Sequence, residues 1–144
     1  MKYDILKLDN QLCFTLYACS KEIIRLYKPI LDEFDITYTQ YITLLVLWEK
    51  DNITIKELGK KLLLGSNTLT PLLKKLENIN LIERIRDKSD ERNVYIRLTN
   101  KGMDMKEKAL KIPEKAFCQT GLSAEDAIDL REELNALLLN LTDL

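Results

Sequence analysis

The spacing of apolar positions predicts six helices and one hairpin. Between Asp9 and Leu31, the residues Leu12, Leu16, Cys19, Ile23, Leu26 and Ile30 recur every three or four positions, the period of one helical face. Cys13, Tyr17, Ile24, Tyr27 and Leu31 form a second stripe beside it, and Pro29 marks the last turn. A helix apolar on two stripes exceeds what one core needs, so it is expected to pack on its own domain and on a second subunit. A second helix is predicted over Thr37–Glu49, capped by Thr37 or Thr39, with Tyr41, Leu44, Leu45 and Trp48 facing the core. After a short strand at Asn52–Thr54, Thr54 and Glu57 have the spacing of a capping box that opens a helix over Ile55–Leu63. Gly65 is expected to break that helix, and Ser66-Asn67 to open a fourth one reaching about Asn78, in which Pro71 removes one backbone donor. Helix, tight glycine-containing turn, helix is the helix-turn-helix pattern.

Two alternating runs, Leu81–Arg86 and Val94–Leu98, flank the polar stretch Asp87–Asn93 and predict a β-hairpin. Thr99 is expected to cap a helix from Asn100 to about Ile112, which Pro113 follows. Ser123 is expected to cap the last helix, with Asp126 at the box position. Its stripe of Ala127, Leu130, Leu134, Leu137, Leu138 and Leu141 needs a cover, and the first helix of a partner chain is the natural one. The fold class expected is mainly α with a small β-wing, a winged helix-turn-helix.

Bulk composition narrows the chemistry. The chain has 144 residues, 46% hydrophobic and 31% charged, with a net charge of −1, which suits one domain with one core. The N-terminus lacks the apolar core of a signal peptide, and no apolar run reaches the roughly 18 residues of a membrane span. A cytoplasmic protein with no membrane partner is the expectation. There is no histidine, no CxxC and no phosphate-binding glycine loop. That removes the common zinc ligand sets, histidine bases and catalytic triads, so neither enzyme activity nor a metal or cofactor is expected. Three cysteines with no export signal argue against a structural disulfide framework.

Charge is unevenly placed. Lys56 to Lys101 holds eleven Lys or Arg against six Asp or Glu, a local +5, while the remainder carries −6. A basic middle between acidic flanks marks a site for an anionic partner. The fourth helix offers Ser66, Asn67, Thr68, Thr70 and Lys74 near its start, short hydrogen-bonding side chains and a cation suited to the edges of bases in a major groove. The hairpin tip carries Lys88 and Arg92, and a projecting Arg suits a narrow minor groove. The polar surface of an ordinary α+β domain would supply the same residue types.

Cys13 lies near the start of the first helix. If Asp9 or Asn10 caps that helix, the positive end of the helix dipole favours a thiolate there, while the charge of Asp9 opposes it. Tyr17 shares the Cys13 face, Tyr27 lies further along it, and phenolic hydroxyls can donate to a thiolate. A small buried hydrophobe is the other reading of Cys13. Cys19 sits about 240° round the helix from Cys13 and is expected in the core.

The run Asp87-Lys88-Ser89-Asp90-Glu91-Arg92-Asn93-Val94, followed by Leu98-Thr99-Asn100-Lys101-Gly102, resembles the wing of MarR-family regulators. Leu69-Thr70-Pro71-Leu72-Leu73-Lys74-Lys75-Leu76-Glu77 resembles their recognition helix, and the likeness is greatest to the organic-hydroperoxide-sensing branch. The resemblance implies a triangular homodimer in which the first and last helices (residues 1–35 and 100–144) form the interface and residues 36–99 form the DNA-binding region. It implies double-stranded DNA, an inverted-repeat operator, as partner and an organic hydroperoxide or other oxidant as signal. It places Asp90 with Lys88 and Arg92 in the DNA-binding wing. It gives Cys13 the role of the oxidised cysteine, Tyr27 and Tyr38 that of hydrogen-bond donors reaching it across the dimer, and Cys118 that of the resolving thiol. The function implied is a transcriptional repressor released by oxidation of Cys13. Two alternatives stay open: release by a small aromatic ligand, and a winged-helix module for protein contacts.

Overall fold

In the computed structural model, which describes residues 1–143, two short 3₁₀ turns, Asp4–Leu6 and Leu8–Asn10, precede α1, Leu12–Asp32. Then come α2 (Tyr38–Glu49), β1 (Ile53–Thr54), α3 (Ile55–Leu62), α4 (Ser66–Asn78), β2 (Ile82–Arg86), β3 (Val94–Leu98), α5 (Asn100–Ala109), α6 (Lys111–Thr120) and α7 (Ala124–Thr142). The mainly helical class with a small β-wing is the one expected.

The sheet has the order β1-β3-β2, all antiparallel, with Ile53 opposite Ile96 and Ile82 opposite Leu98. Its inner face meets Leu44 of α2, Leu58 of α3, Leu73 and Leu76 of α4 and Ile112 of α6 in one core. Two part-buried hydrogen bonds tie α2 and the loop after it to α5 and to the end of β3. Trp48 Nε1 donates to the Gly102 carbonyl at 2.9 Å, and the Leu98 amide donates to Asp51 Oδ1 at 2.9 Å. In α4 the buried Leu69, Leu72, Leu73 and Leu76 occupy one face, so Ser66, Asn67, Thr68, Thr70 and Lys74 are left outward. Pro71 sits inside α4, and the helix continues past it to Asn78.

Several local expectations are corrected. α1 begins at Leu12, three residues later than the periodicity suggested, because Asn10 and Gln11 use their amides elsewhere. Asn10 Nδ2 donates to the Asp4 carbonyl at 2.7 Å and Gln11 Nε2 to the Ile5 carbonyl at 2.6 Å, which fastens the 3₁₀ turns instead of capping the helix. Gln11, extended at φ −100°, takes the cap position without a side-chain bond. Thr37, not Thr39, caps α2, in a complete capping box with Gln40. At α3 the Thr54 hydroxyl accepts from the Glu57 amide at 3.1 Å, but it also faces the Glu57 carboxylate, so the reciprocal half of the box is missing. Leu45 is exposed, and Thr43 and Leu47 are buried in its stead. Cys19 is exposed, not core.

Gly65 does not break α3. Leu63 ends it in the left-handed region at φ 55°, and Gly65 has an ordinary φ of −76° as the cap of α4. The glycine the helix pair requires is Gly59, where a Cβ would stand 3.0 Å from the Leu64 carbonyl oxygen and 3.2 Å from Leu69 Cδ1. Pro113 does not follow a long fifth helix. α5 stops at Ala109, and Pro113 is the third residue of an additional helix, α6, where an amide has no intrahelical acceptor to lose. Ser123 caps α7 as expected, its Oγ accepting from the Asp126 amide at 3.1 Å.

α7 contains no buried residue: Leu130, Leu134, Leu138 and Leu141 are all exposed in the single chain. So are Leu12, Phe14, Tyr17, Ile23 and Ile24 of α1. These are the two apolar faces for which the sequence demanded a second subunit.

Candidate functional site

The outward face of α4, the N-terminal half of α3 and the base of the wing enclose a cleft of about 590 Å³. Ser66 and Thr70 come from α4, Lys56 and Lys60 from α3, and Arg92 and Asn93 from the wing, over a floor that includes Leu64 and Leu69. Three of the residues expected to bind DNA, Ser66, Thr70 and Arg92, are thereby brought together. Asn67, Thr68 and Lys74 lie exposed on the same helix, and Lys88 is exposed at the wing tip. The Thr70 hydroxyl donates to the Ser66 carbonyl at 2.9 Å, so its free capacity is that of an acceptor.

The wing is ordered by its own side chains. Asp87 Oδ1 accepts from the Ser89 amide at 3.0 Å and from its hydroxyl at 2.8 Å. Asp90 Oδ1 accepts from the Arg92 amide at 3.1 Å and from Nε at 3.0 Å, and Oδ2 accepts from Nη2 at 3.2 Å. Arg86 Nη1 reaches the Glu91 carbonyl at 3.3 Å. The Arg92 guanidinium holds the Asp90 carboxyl below the usual carboxylate range. Asp90, grouped with the DNA contacts by the sequence, spends both oxygens aiming Arg92, whose side chain remains 90% exposed.

Lys56 and Lys60 were not singled out from the sequence. Among the described residues, Lys56, Lys60, Lys61, Lys74, Lys75, Arg86 and Lys88 have no acidic partner within 4.0 Å, whereas most cations outside this region that could pair do so, such as Lys28 with Asp32 and Lys111 with Glu33. The local excess of positive charge was visible; which lysines face the cleft depends on how α3 packs on α4.

Cys13 is the second residue of α1 and is exposed. That puts it closer to the positive end of the helix than a start at Asp9 implied. Tyr27 packs edge-on against Tyr38, centroids 5.0 Å apart, and Tyr41 closes the cluster at 5.8 Å from Tyr27 and 6.2 Å from Tyr38. Burial pushes all three phenols up, Tyr41 to about 12 with added repulsion from Tyr27 and Tyr38. Tyr41 read from the sequence only as core. Within one chain, Tyr27 is about 21 Å along the helix from Cys13, at 1.5 Å per residue. Tyr17 is exposed, with the Lys21 ammonium 5.2 Å from its ring centroid.

Cys118 is exposed on α6, the helix just before the last one. Its neighbour Phe117 lines an apolar cleft of about 550 Å³ with Ile23 and Tyr27 of α1 and Leu130 and Leu134 of α7. This level of α1 begins about 15 Å from Cys13, ten residues at 1.5 Å each. A disulfide requires Cα atoms about 4.4–6.8 Å apart, so the geometry of one chain does not bring the two thiols together.

Comparison with known proteins gives a consistent set of likenesses. The family model of the transcriptional regulator SarA/Rot matches residues 25–109. The organic hydroperoxide resistance transcriptional regulator of Bacillus subtilis strain 168 is 49% identical over 137 residues, covering 95% of this chain and 93% of its own. The structure of reduced AbfR bound to DNA, from a regulator also solved from Staphylococcus epidermidis, is 38% identical and superposes with a TM-score of 0.80 over 99% of both chains. Disulfide-formed AbfR, at the same 38% identity, superposes with a TM-score of 0.66 over 96% of this chain and 97% of its own. The present conformation is thus nearer the reduced form than the disulfide form.

Proposed function

The chain belongs to the SarA/Rot family of transcriptional regulators, and from that premise we propose that it is a homodimeric DNA-binding repressor released from its operator when an organic hydroperoxide oxidises Cys13. The observation that carries the reading is an exposed thiol in the first turn of α1, among exposed apolar residues of that helix, in a chain that also presents a reading helix and a wing around one cleft. Residues 36–99 act as the DNA-binding region. Residues 1–35 and 100–144 act as the dimerisation helices.

The chemistry follows from the thiol. The Cys13 thiolate attacks the O–O bond of the hydroperoxide, taking one oxygen as a sulfenic acid while the other leaves as an alcohol. The Cys118 thiol of the partner subunit then attacks the sulfenic sulfur; a disulfide forms and water leaves. Tyr27 and Tyr38 of the partner subunit are the donors to the thiolate: a phenol is protonated at neutral pH, and burial pushes both further from ionisation. Drawing the two helices within disulfide reach changes the spacing of the two α4 helices, which must match successive turns of the duplex, about 34–36 Å apart. The lower TM-score against disulfide-formed AbfR than against its reduced form supports a conformational change within the chain on disulfide formation in that relative.

The test is a DNA-binding titration with and without cumene hydroperoxide on the parent and on Cys13→Ser. The parent should release DNA on treatment and the variant should not. Release of the variant by a phenolic ligand would instead favour the ligand-sensing alternative.

A further inference from the structure

The cleft between α3, α4 and the wing has a feature that base reading does not explain. Two unpaired lysines, Lys56 and Lys60, stand one helical turn apart on the α3 wall, and the third cation of the cleft, Arg92, stands with the wing. Ser66 and Thr70 offer hydroxyl groups between them, and the floor is apolar at Leu64 and Leu69. A lysine is a mobile point charge that suits a phosphate, and contacts to phosphate position a protein on the duplex without carrying sequence information. Successive phosphates on one strand and successive turns of a helix have comparable spacing, about 6–7 Å against 5.4 Å, so one strand can meet both lysines in turn.

We propose that Lys56 and Lys60 form a phosphate rail, which holds one DNA strand against α3 independently of base sequence and so sets the depth at which α4 and Arg92 enter their grooves. This rests on the reading of the chain as a DNA-binding protein, and it assigns the α3 wall a role that the reading helix and wing do not cover. Lys61 provides an internal control. It neighbours Lys60 and bears the same charge, but it lines a separate groove with Leu138 and Leu139 of α7, away from the cleft.

The experiment measures affinity of the full-length dimer for a mixed-sequence duplex, and for a duplex selected by the parent from a random pool, across a range of salt. Each of Lys56→Gln and Lys60→Gln removes two cations from the dimer, one per subunit, and should lower the slope of log affinity against log salt by about 1.8, and the double variant by about twice that. Both duplexes should weaken by the same factor, leaving their ratio unchanged. Lys61→Gln should keep the parental slope. Unchanged slopes in the Lys56 and Lys60 variants, or an equal drop in Lys61→Gln, overturn the rail while leaving DNA binding intact. A parent that binds neither duplex at low salt overturns the functional reading itself. Circular dichroism of each variant separates lost charge from lost fold: a slope change counts only with a parental spectrum and melting curve.

Discussion

A Cβ placed on Gly102 would stand 2.3 Å from the carbonyl oxygen of Leu81 and 3.1 Å from Leu98 Cδ2. The start of α5 therefore lies directly on the strand that leads into the wing. Gly102→Ala should destabilise the protein by about 1–3 kcal/mol, the usual cost of forcing a group into a filled site. Urea unfolding measures this. Gly65→Ala, with nothing within 4 Å of the added methyl, should cost less, up to about 1 kcal/mol from a poorer cap residue on α4. Equal losses at the two positions would refute the assignment of Gly102 as a close-approach glycine.

Arg92→Ala should weaken binding to a selected duplex about tenfold or more, because a wing arginine combines phosphate attraction with readout of groove shape. Asp90→Ala leaves the cation in place but frees it, so the loss should be smaller and the salt slope should not fall. Parental affinity of Arg92→Ala at about 0.15 M salt would remove the wing from the interface.

Oxidised parent protein should run as a crosslinked dimer on non-reducing electrophoresis. Cys118→Ser should keep sulfenic acid formation at Cys13 and lose the crosslink, since the resolving thiol is gone. Cys19→Ser, although Cys19 is exposed in the single chain, should behave as the parent. A crosslink persisting in Cys118→Ser would leave Cys13 as the sensor and exclude Cys118 as its partner.

Leu134→Glu places a charge on the exposed α7 face and in the cleft beside Tyr27. Stable dimers bury about 1,200 Å² or more, and a carboxylate there should shift the protein to monomers or aggregates in sedimentation. An unchanged dimer would move the interface away from α7.

Tyr41 is held neutral in the fold, its phenol pushed up from 10.0 to about 12 mainly by burial. A group raised in the folded state stabilises fully below its unfolded value and loses that contribution as pH climbs through the folded one. Alkaline unfolding should therefore set in above about pH 10 and be delayed in Tyr41→Phe. Tyrosinate absorbance followed with pH reads this directly, and a cluster titrating entirely near pH 10 would contradict it.

Much of the architecture is legible in the spacing of leucines. Leu69, Leu72, Leu73 and Leu76 declare the buried face of α4, and the alternation in Val94–Leu98 declares the inner face of β3. The errors fall where one residue type serves two purposes. Pro113 terminates a helix in most contexts yet is harmless in a first turn, so α6 was invisible. Asn10 could cap α1 but instead anchors the turns before it. Lys56 and Lys60 were counted as charge without a direction, because only the packing of α3 on α4 gives them one. Cys19 shares the period of the core stripe, but that stripe reaches the chain's own core only from Leu26 onward, and the earlier half faces outward.

The hydrogen bonds that order the wing tip lie within the span from Arg86 to Asn93. An arginine side chain immobilised on binding costs about 0.5–1.5 kcal/mol in lost rotamer freedom. Here Asp90 biases Arg92 towards one orientation in the free chain, so part of that entropy is lost before the groove is met. The bonds at the wing tip include none to α1, α6 or α7, so on the proposed mechanism oxidation of Cys13 should leave the local order of the tip unchanged. On that mechanism oxidation alters the separation between two preorganised probes, and free and bound forms should differ in rigid-body placement far more than in local order.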